Sequence, residues 1–425
     1  MNAIFEQLRF GTANWIWKIL SLTLLLMPIA SVTQAFAQTA TSKANAYLGK
    51  NNAVVLGFPT CNAASFAQIP GTNNLFIARA RITSTGGMAG ISGPNDCSGG
   101  KQWGLTLVYL NWTTKQFTLV KPLLDTSNNN SANLSKAVLT GGPQKGAVIK
   151  SAYDPSIVLY NGQYIVSFEC VLSEKAPSFG VQGTSSCISI YNPTTKTLDM
   201  SQTQVIISGQ FPPTGMQYAA SVPTLAVLEN NLYIYWSALA IQNNQFVSIA
   251  MRGAQLNKSG STFIVAGSGS KLVTSTQANL TTEVWAPDPI DSMSNTSVDA
   301  RHVWASGHSV VALASVGGSG CVAPNGTTKG CFRMMLSKAG NPLLFHAFNL
   351  GTKSNGLAYP TNGQEYVTPI QGPDGSRWYL GHFYQTPANG YSENNPVPNL
   401  AIWKQVNRTD VLVAFPNTDN GFWPN

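Results

Sequence analysis

Charge is scarce in this chain. Asp, Glu, Lys and Arg together make up 10% of its 425 residues, while Gly, Pro, Asn, Ser and Thr are abundant. Such a dilute charge speaks against a helical protein, whose solvent faces are normally rich in charged side chains. Short β-branched runs separated by turn residues point instead to an all-β chain. The net charge is +8, yet no run of basic residues occurs. A nucleic-acid groove needs a concentrated positive face, so no nucleic-acid partner is expected; a weak preference for acidic polymers or surfaces is all that scattered cations allow. Only 4 histidines are present, and His302 and His308 have no partner at zinc-ligand spacing. None of the six cysteines lies in a Cys-x-x-Cys pair, which argues against a cysteine-held zinc. Neither a Gly-x-Ser-x-Gly elbow nor a phosphate-binding loop appears.

Long apolar runs are also missing beyond the first forty residues. There, Arg9 and Lys18 precede an apolar run from Ile19 to Ala30, and Ala35-Phe36-Ala37 gives a small-x-small cleavage pattern. This predicts a secretory signal peptide over 1–37, a short linker over 38–50 and a single domain over 51–425. The run is too short to span a bilayer comfortably, so no membrane span is expected after cleavage and the mature chain should be secreted or periplasmic. All six cysteines lie beyond the signal, and an even count in an exported chain reads as three disulfides. The sequential pairing, Cys61 with Cys97, Cys170 with Cys187 and Cys321 with Cys331, is favoured because two of those intervals look like hairpin loops.

A unit recurs along the rest. Asp154-Pro155 is followed by SIVLYNGQYIVSF, Val222-Pro223 by TLAVLENNLYIYWSAL, and Thr368-Pro369 by IQGPDGSRWYLGHFY. Ala286-Pro287 opens a looser copy with a polar insertion before RHVWASG, and Phe66 to Arg81 is the weakest copy. Each joins a residue-Pro pair, an apolar segment, an Asn or Gly turn and an aromatic strand; proline suits the first position of a strand. A second unit follows in each copy at the turns beginning Asn111, Asn192, Asn257, Lys338 and Asn407. Two motifs in fixed order, five times, predict a five-bladed β-propeller of four-stranded antiparallel blades, at roughly 78 residues per blade. A pair of β-sandwiches or a β-helix would not explain that order. Closure should pair a strand near Asn52–Phe58 with strands near 400–415, leaving no open edge. Other propeller signatures are missing: there are no Trp-Asp repeats, no regular double glycines and no complete Asp-box, although Asp374-Gly-Ser-Arg-Trp378 resembles a fragment of one.

In such a ring the starts of the innermost strands converge around a central channel. Those positions are Asp154, Val222, Ala286 or Asp288, and Thr368. Glu283 and Glu365 each precede a proline by four residues, so Asp154, Glu283 and Glu365 should approach one another at the channel mouth, with Tyr153, Trp285, Tyr366 and Trp378 near them. Carboxylates among aromatic faces suit a sugar: rings cover its apolar side, and two carboxyl groups can divide general-acid and general-base work. Against this, an Asp before a Pro commonly serves only a turn. Glu169, beside Cys170 at a strand end, reads as a solvated rim residue, and Glu229 as a solvated turn residue.

Tyr153-Asp154-Pro155-Ser156-Ile157 with Gly162-Gln163-Tyr164 resembles the opening blade of the arabinanase and β-xylosidase type of family 43 glycoside hydrolases. The resemblance implies an inverting mechanism with an Asp base, a second Asp that tunes it, and a Glu acid. Asp154 matches the base. The second Asp should fall in the next blade, where this chain has Val222. The acid is Glu283 or Glu365, and Glu283 departs from the family pattern by having Val284 in place of Gly. His382 in the last blade is a candidate for a structural calcium of the kind related hydrolases hold; no other cofactor is implied. The expectation is a monomeric, exported propeller binding a poly- or oligosaccharide in its central funnel with inverting hydrolysis. Its rival is a non-catalytic glycan-binding or protein-interaction propeller.

Overall fold

A computed structural model describes residues 54–55, 66–82, 88–89, 103–124, 138–139, 145–172, 184–209, 215, 217–242, 245–267, 271–272, 297–306, 308–317, 331–347, 364–383 and 400–404. The predicted signal peptide, the linker and Cys61, Cys97 and Cys321 lie outside them.

The described strands form five antiparallel sheets in chain order. After β1 (Val54–Val55), the first sheet holds β2 (Phe66–Gln68), β3 (Leu75–Ile82) with the short β4 (Met88–Ala89) on its edge, β5 (Trp103–Asn111) and β6 (Gln116–Leu124). The second holds β7 (Ile149–Tyr160), β8 (Gln163–Leu172), β9 (Thr184–Asn192) and β10 (Thr197–Leu198), with β11 (Gln204–Ile207) also on β9. The third runs β12 (Gln217–Leu228), β13 (Asn231–Gln242), β14 (Gln245–Ser259) and β15 (Thr262–Val265), with β16 (Lys271–Leu272) beside β14. The fourth is β17 (Ser297–Ser306), β18 (Ser309–Gly317), β19 (Cys331–Lys338) and β20 (Asn341–Ala347). The fifth is β21 (Gln364–Gln371), β22 (Arg377–Phe383) and β23 (Leu400–Lys404), completed by β1.

The order within each sheet is up and down, and the first strands β2, β7, β12, β17 and β21 touch one another in a closed cycle. This is the five-bladed propeller that the repeats predict. Closure falls where expected, with Val54 paired to Ile402 and Val55 to Ala401. Two hydrogen bonds fasten the same seam: Gln68 Nε2 donates to the Gln371 carbonyl at 2.9 Å, and Gln371 N donates to Gln68 Oε1 at 2.6 Å.

Period-two alternation gives the first and second sheets two apolar faces each, and the core lies between sheets. On β8, Val166, Phe168 and Cys170 pack toward the first sheet with Ile77, Leu105 and Leu107, while Ile165 joins Leu225, Ile234 and Trp236 of the third. Between fifth and first sheets, Ile370, Leu380 and Ile402 meet Phe66, Phe76 and Phe117. Burying each such side chain contributes about 1.5–3 kcal/mol. The inner hairpins turn as the sequence predicts. Asn161-Gly162 and Glu229-Asn230 are two-residue turns with positive φ at both residues, which twist in the hand the strands need. Cys170 and Cys187 form the expected disulfide between β8 and β9, with Cα atoms 5.8 Å apart.

Candidate functional site

The inner strands share an irregularity at one level. Counting from the hairpin, five residue pairs join β7 to β8 before the register shifts around Asp154 and Pro155. Five pairs join β12 to β13 before it shifts around Val222 and Pro223, and five join β17 to β18 before it shifts at Arg301. On β21 four pairs precede the shift at Tyr366 and Val367. A bulge bends the strand and re-aims its side chains, a feature common beside functional sites.

Asp154 and Val222, expected at strand starts, thus lie at bulges inside β7 and β12, and both bulges are strained. Asp154 has φ 48° and Val222 has φ 49°, and each precedes a proline. Asp visits the left-handed region at modest cost, but a β-branched valine there is a steric outlier. A residue before proline is itself biased toward extended backbone. Such a conformation persists only where its surroundings over-determine it.

Those surroundings come from the second sheet. Ser186 Oγ donates to the Ala220 carbonyl at 3.1 Å, and Ser167 Oγ donates to the Pro223 carbonyl at 3.0 Å. Ser156 Oγ accepts from Leu225 N at 3.0 Å. Between them, one oxygen of the Glu169 carboxylate accepts from both the Ser221 hydroxyl and Val222 N, the latter at 3.0 Å. The whole backbone turn from Ala220 to Leu225 is thus held by side chains of its neighbour.

Asp154 and Glu169 are both buried, each 7% exposed. Tyr153 is the direct cross-strand partner of Glu169 and the chain neighbour of Asp154. The Arg79 guanidinium, from β3, lies 5.5 Å from the centre of the Tyr153 ring. Burial pushes the Tyr153 phenol above its ordinary value; its hydrogen bond with Ser151 and the Arg79 charge oppose that, and Glu169 and Asp154 add to it. Two acids, one phenol and one guanidinium therefore meet where the first three sheets adjoin.

The other sequence candidates fall as follows. Glu365 pairs with His382 across β21 and β22, one residue before the fifth-sheet bulge, so its backbone matches Tyr153 rather than Asp154. The residue at that bulge is Tyr366. Thr368, expected at the strand start, lies two positions further in. The side chains of Glu365, Tyr366 and His382 are outside the described set, as are Glu283, Trp285, Ala286 and Asp288 altogether. The fourth inner strand is Ser297–Ser306, so Arg301, not Ala286 or Asp288, stands at its bulge. Trp378 is at the opposite, hairpin end of its sheet, where it meets Trp112 edge to face at 5.2 Å with Lys115 over both rings. It closes the seam between fifth and first sheets and is remote from Asp154. Asp374, in the fragment preceding it, caps its own turn through Ser376 N and pairs with Lys404 at 2.7 Å. Glu229 is exposed, as expected, and faces an exposed His308 at 3.2 Å.

Glu169 corrects the sequence reading, which put it on a solvated rim. A signal was available: Ile165, Ser167 and Glu169 alternate along β8, which puts Glu169 on the same face as the core residue Ile165. Among the described residues no group of three His, Cys, Asp or Glu side chains is disposed to hold a metal.

No protein-family profile matches the chain, and no curated protein matches its sequence. Solved structures of similar shape do exist. A thermostable family-43 glycoside hydrolase aligns with TM-score 0.48 and 10% identity over 87% of this chain and 98% of its own. An alpha-L-arabinofuranosidase from Lactobacillus brevis gives 0.46 and 9% over 82% and 92%. An endo-arabinase from Bacteroides thetaiotaomicron gives 0.44 and 10% over 83% and 98%. The propeller assignment itself stands on this chain's strand pairing and closed ring.

Proposed function

We propose that the chain is an exported, glycoside hydrolase-like propeller that binds a poly- or oligosaccharide in its central funnel and hydrolyses it with inversion. The observation that carries this reading is Asp154: a buried carboxylate, in a left-handed bulge midway along an inner strand. In the proposed reaction Asp154 takes a proton from water as that water attacks the anomeric carbon. Glu283 or Glu365 gives a proton to the leaving glycosidic oxygen. The two carboxyl groups of such a pair stand roughly 6.5–9.5 Å apart, which leaves room for the water. Tyr153, with Trp285 and Tyr366, would supply the aromatic wall.

Arabinan, xylan and fructan oligomers are the substrates to assay with wild type and Asp154→Asn. Removal of a general base should lower turnover by about 10²–10⁴. Equal turnover in the variant would take Asp154 out of the mechanism. Val222 favours a second reading, a non-catalytic glycan-binding propeller, because it stands where the resemblance implies a second acid. Oligosaccharide binding by calorimetry with no new reducing ends would select that reading.

A further inference from the structure

Val222 raises a question that its own side chain does not answer. The residue is strained and apolar, and the neighbouring sheet spends a buried carboxylate on holding it. A serine would satisfy one backbone N–H as well, and the same seam uses Ser156 in that way on Leu225. A carboxylate in that place brings something further, a negative charge beside Asp154. The register brings the two positions together along the backbone: Tyr153 and Glu169 are opposite one another, and Asp154 is the next residue. The Tyr153 phenol feels both carboxylates.

We propose that Glu169 is a positioning residue of the Asp154 site: it clamps the Val222 bulge across the seam between the second and third sheets, and it supplies from β8 the second carboxylate that the Val222 position lacks. The charge-tuning half of this inference rests on the functional reading of Asp154, while the clamp is independent of it. A like charge nearby disfavours ionisation of Asp154 and so raises the pH at which it becomes a competent base. The other titratable or charged groups on the packed elements include Tyr153, Lys150 and the hairpin-end Tyr160 on β7, Arg79 on β3 with Arg81, whose side chain is outside the described set, and the exposed Tyr218 on β12. Tyr109 on β5, Tyr164 on β8 and Tyr191 on β9 lie toward the hairpin end of their sheets. Asp299, Arg301 and His302 belong to β17, and their side chains are outside the described set.

The two roles separate by substitution. Glu169→Gln keeps a carbonyl oxygen to accept from Ser221 and Val222 but removes the charge; Glu169→Ala removes both. Two measurements need no turnover: amide hydrogen exchange at Val222, and carboxyl-carbon NMR titration of Asp154, assigned with Asp154→Asn. Val222 N–H should keep its protection in Glu169→Gln and exchange at least tenfold faster in Glu169→Ala. The Asp154 midpoint should fall by about one pH unit in both, the size expected when one neighbouring like charge is removed. The acidic limb of kcat/KM in Glu169→Gln should move down with it. A protein with no hydrolytic activity would refute the proposed reaction while leaving the clamp and the midpoint shift to be read. An Asp154 midpoint that does not move in Glu169→Gln overturns the tuning role, and unchanged Val222 exchange in Glu169→Ala overturns the clamp. If Glu169→Ala does not fold, the Glu169→Gln titration still decides the tuning role.

Discussion

Replacing both Cys170 and Cys187 by alanine tests how this propeller holds its second sheet. The bond joins β8 to β9 on a diagonal, since Phe168 faces Cys187 and Cys170 faces Ser185. Both cysteines are fully buried, so alanine is preferable to serine, which would bury an extra hydroxyl. The sequence separation is 17. Closing a loop of that size removes about 3 kcal/mol of conformational freedom from the unfolded chain. At about 2.1 cal/mol/K of unfolding entropy per residue, a propeller of the span expected from sequence, 51–425, should lose about 4 °C of melting temperature. The effect acts on the unfolded state, so the native pairing from Tyr164–Tyr191 to Val171–Thr184 should persist. Calorimetry gives the first quantity and amide exchange along β8 the second. A melting temperature within about 1 °C of wild type would refute the loop-entropy argument. Loss of protection along β8 would show instead that the bond props up native pairing.

Tyr235 is fully buried and donates to the Pro342 carbonyl at 2.8 Å, from the third sheet to the fourth. Tyr235→Phe leaves that buried carbonyl short of a donor and should cost about 1–3 kcal/mol in denaturant titrations. Gly372→Ala places a methyl group against the Trp378 indole nitrogen. It should displace that ring from Trp112 at about 1–3 kcal/mol, read by tryptophan fluorescence and melting temperature. Burial raises the Tyr235 and Tyr153 phenols above the ordinary value of 10.0. Their unfolded forms lose protons first as pH climbs, so stability is full below about pH 10 and falls as pH rises above it. Melting curves from pH 8 to 11 should show a shallower alkaline decline in Tyr235→Phe than in wild type.

The repeats were legible because the inner hairpins of the second and third sheets advertise their turns and their bulges. Proline cannot donate to a ladder, and Asn161-Gly162 fits a turn that needs positive φ at both residues. Those two devices place the β7–β8 and β12–β13 hairpins from sequence but not the strand starts, because Pro155 and Pro223 sit at bulges inside β7 and β12. They fail at the fourth blade, where proline does not mark the inner strand. Ala286-Pro287 lies before Ser297–Ser306, and the SVDARH opening of that strand is too polar to read as a strand next to a channel. At the fifth blade the loop from Gly372 to Ser376 is longer than a two-residue turn, so aligning copies on Pro369 puts Thr368 in the place that Tyr366 occupies.

The site was harder to read for a different reason. Asp154 announces itself by its neighbour in sequence, whereas Glu169 acquires its role from a strand of the next blade. Alternation along β8 could have said that Glu169 is buried; it could not have said that the partner is Val222 N. That pairing joins two residues 53 apart in the chain, and it exists only because the second and third sheets pack face to face. It also changes what Val222 signifies. Read along the chain, a valine in that position is an acid lost. Read across the seam, the position still has a carboxylate beside it, delivered by the preceding blade and bonded to the valine's own backbone. The two readings differ in a measurable way. A lost acid leaves Asp154 with the midpoint of a lone buried carboxylate, insensitive to residue 169. A relocated one makes Asp154 respond to the charge at Glu169, whether or not a sugar is ever cleaved.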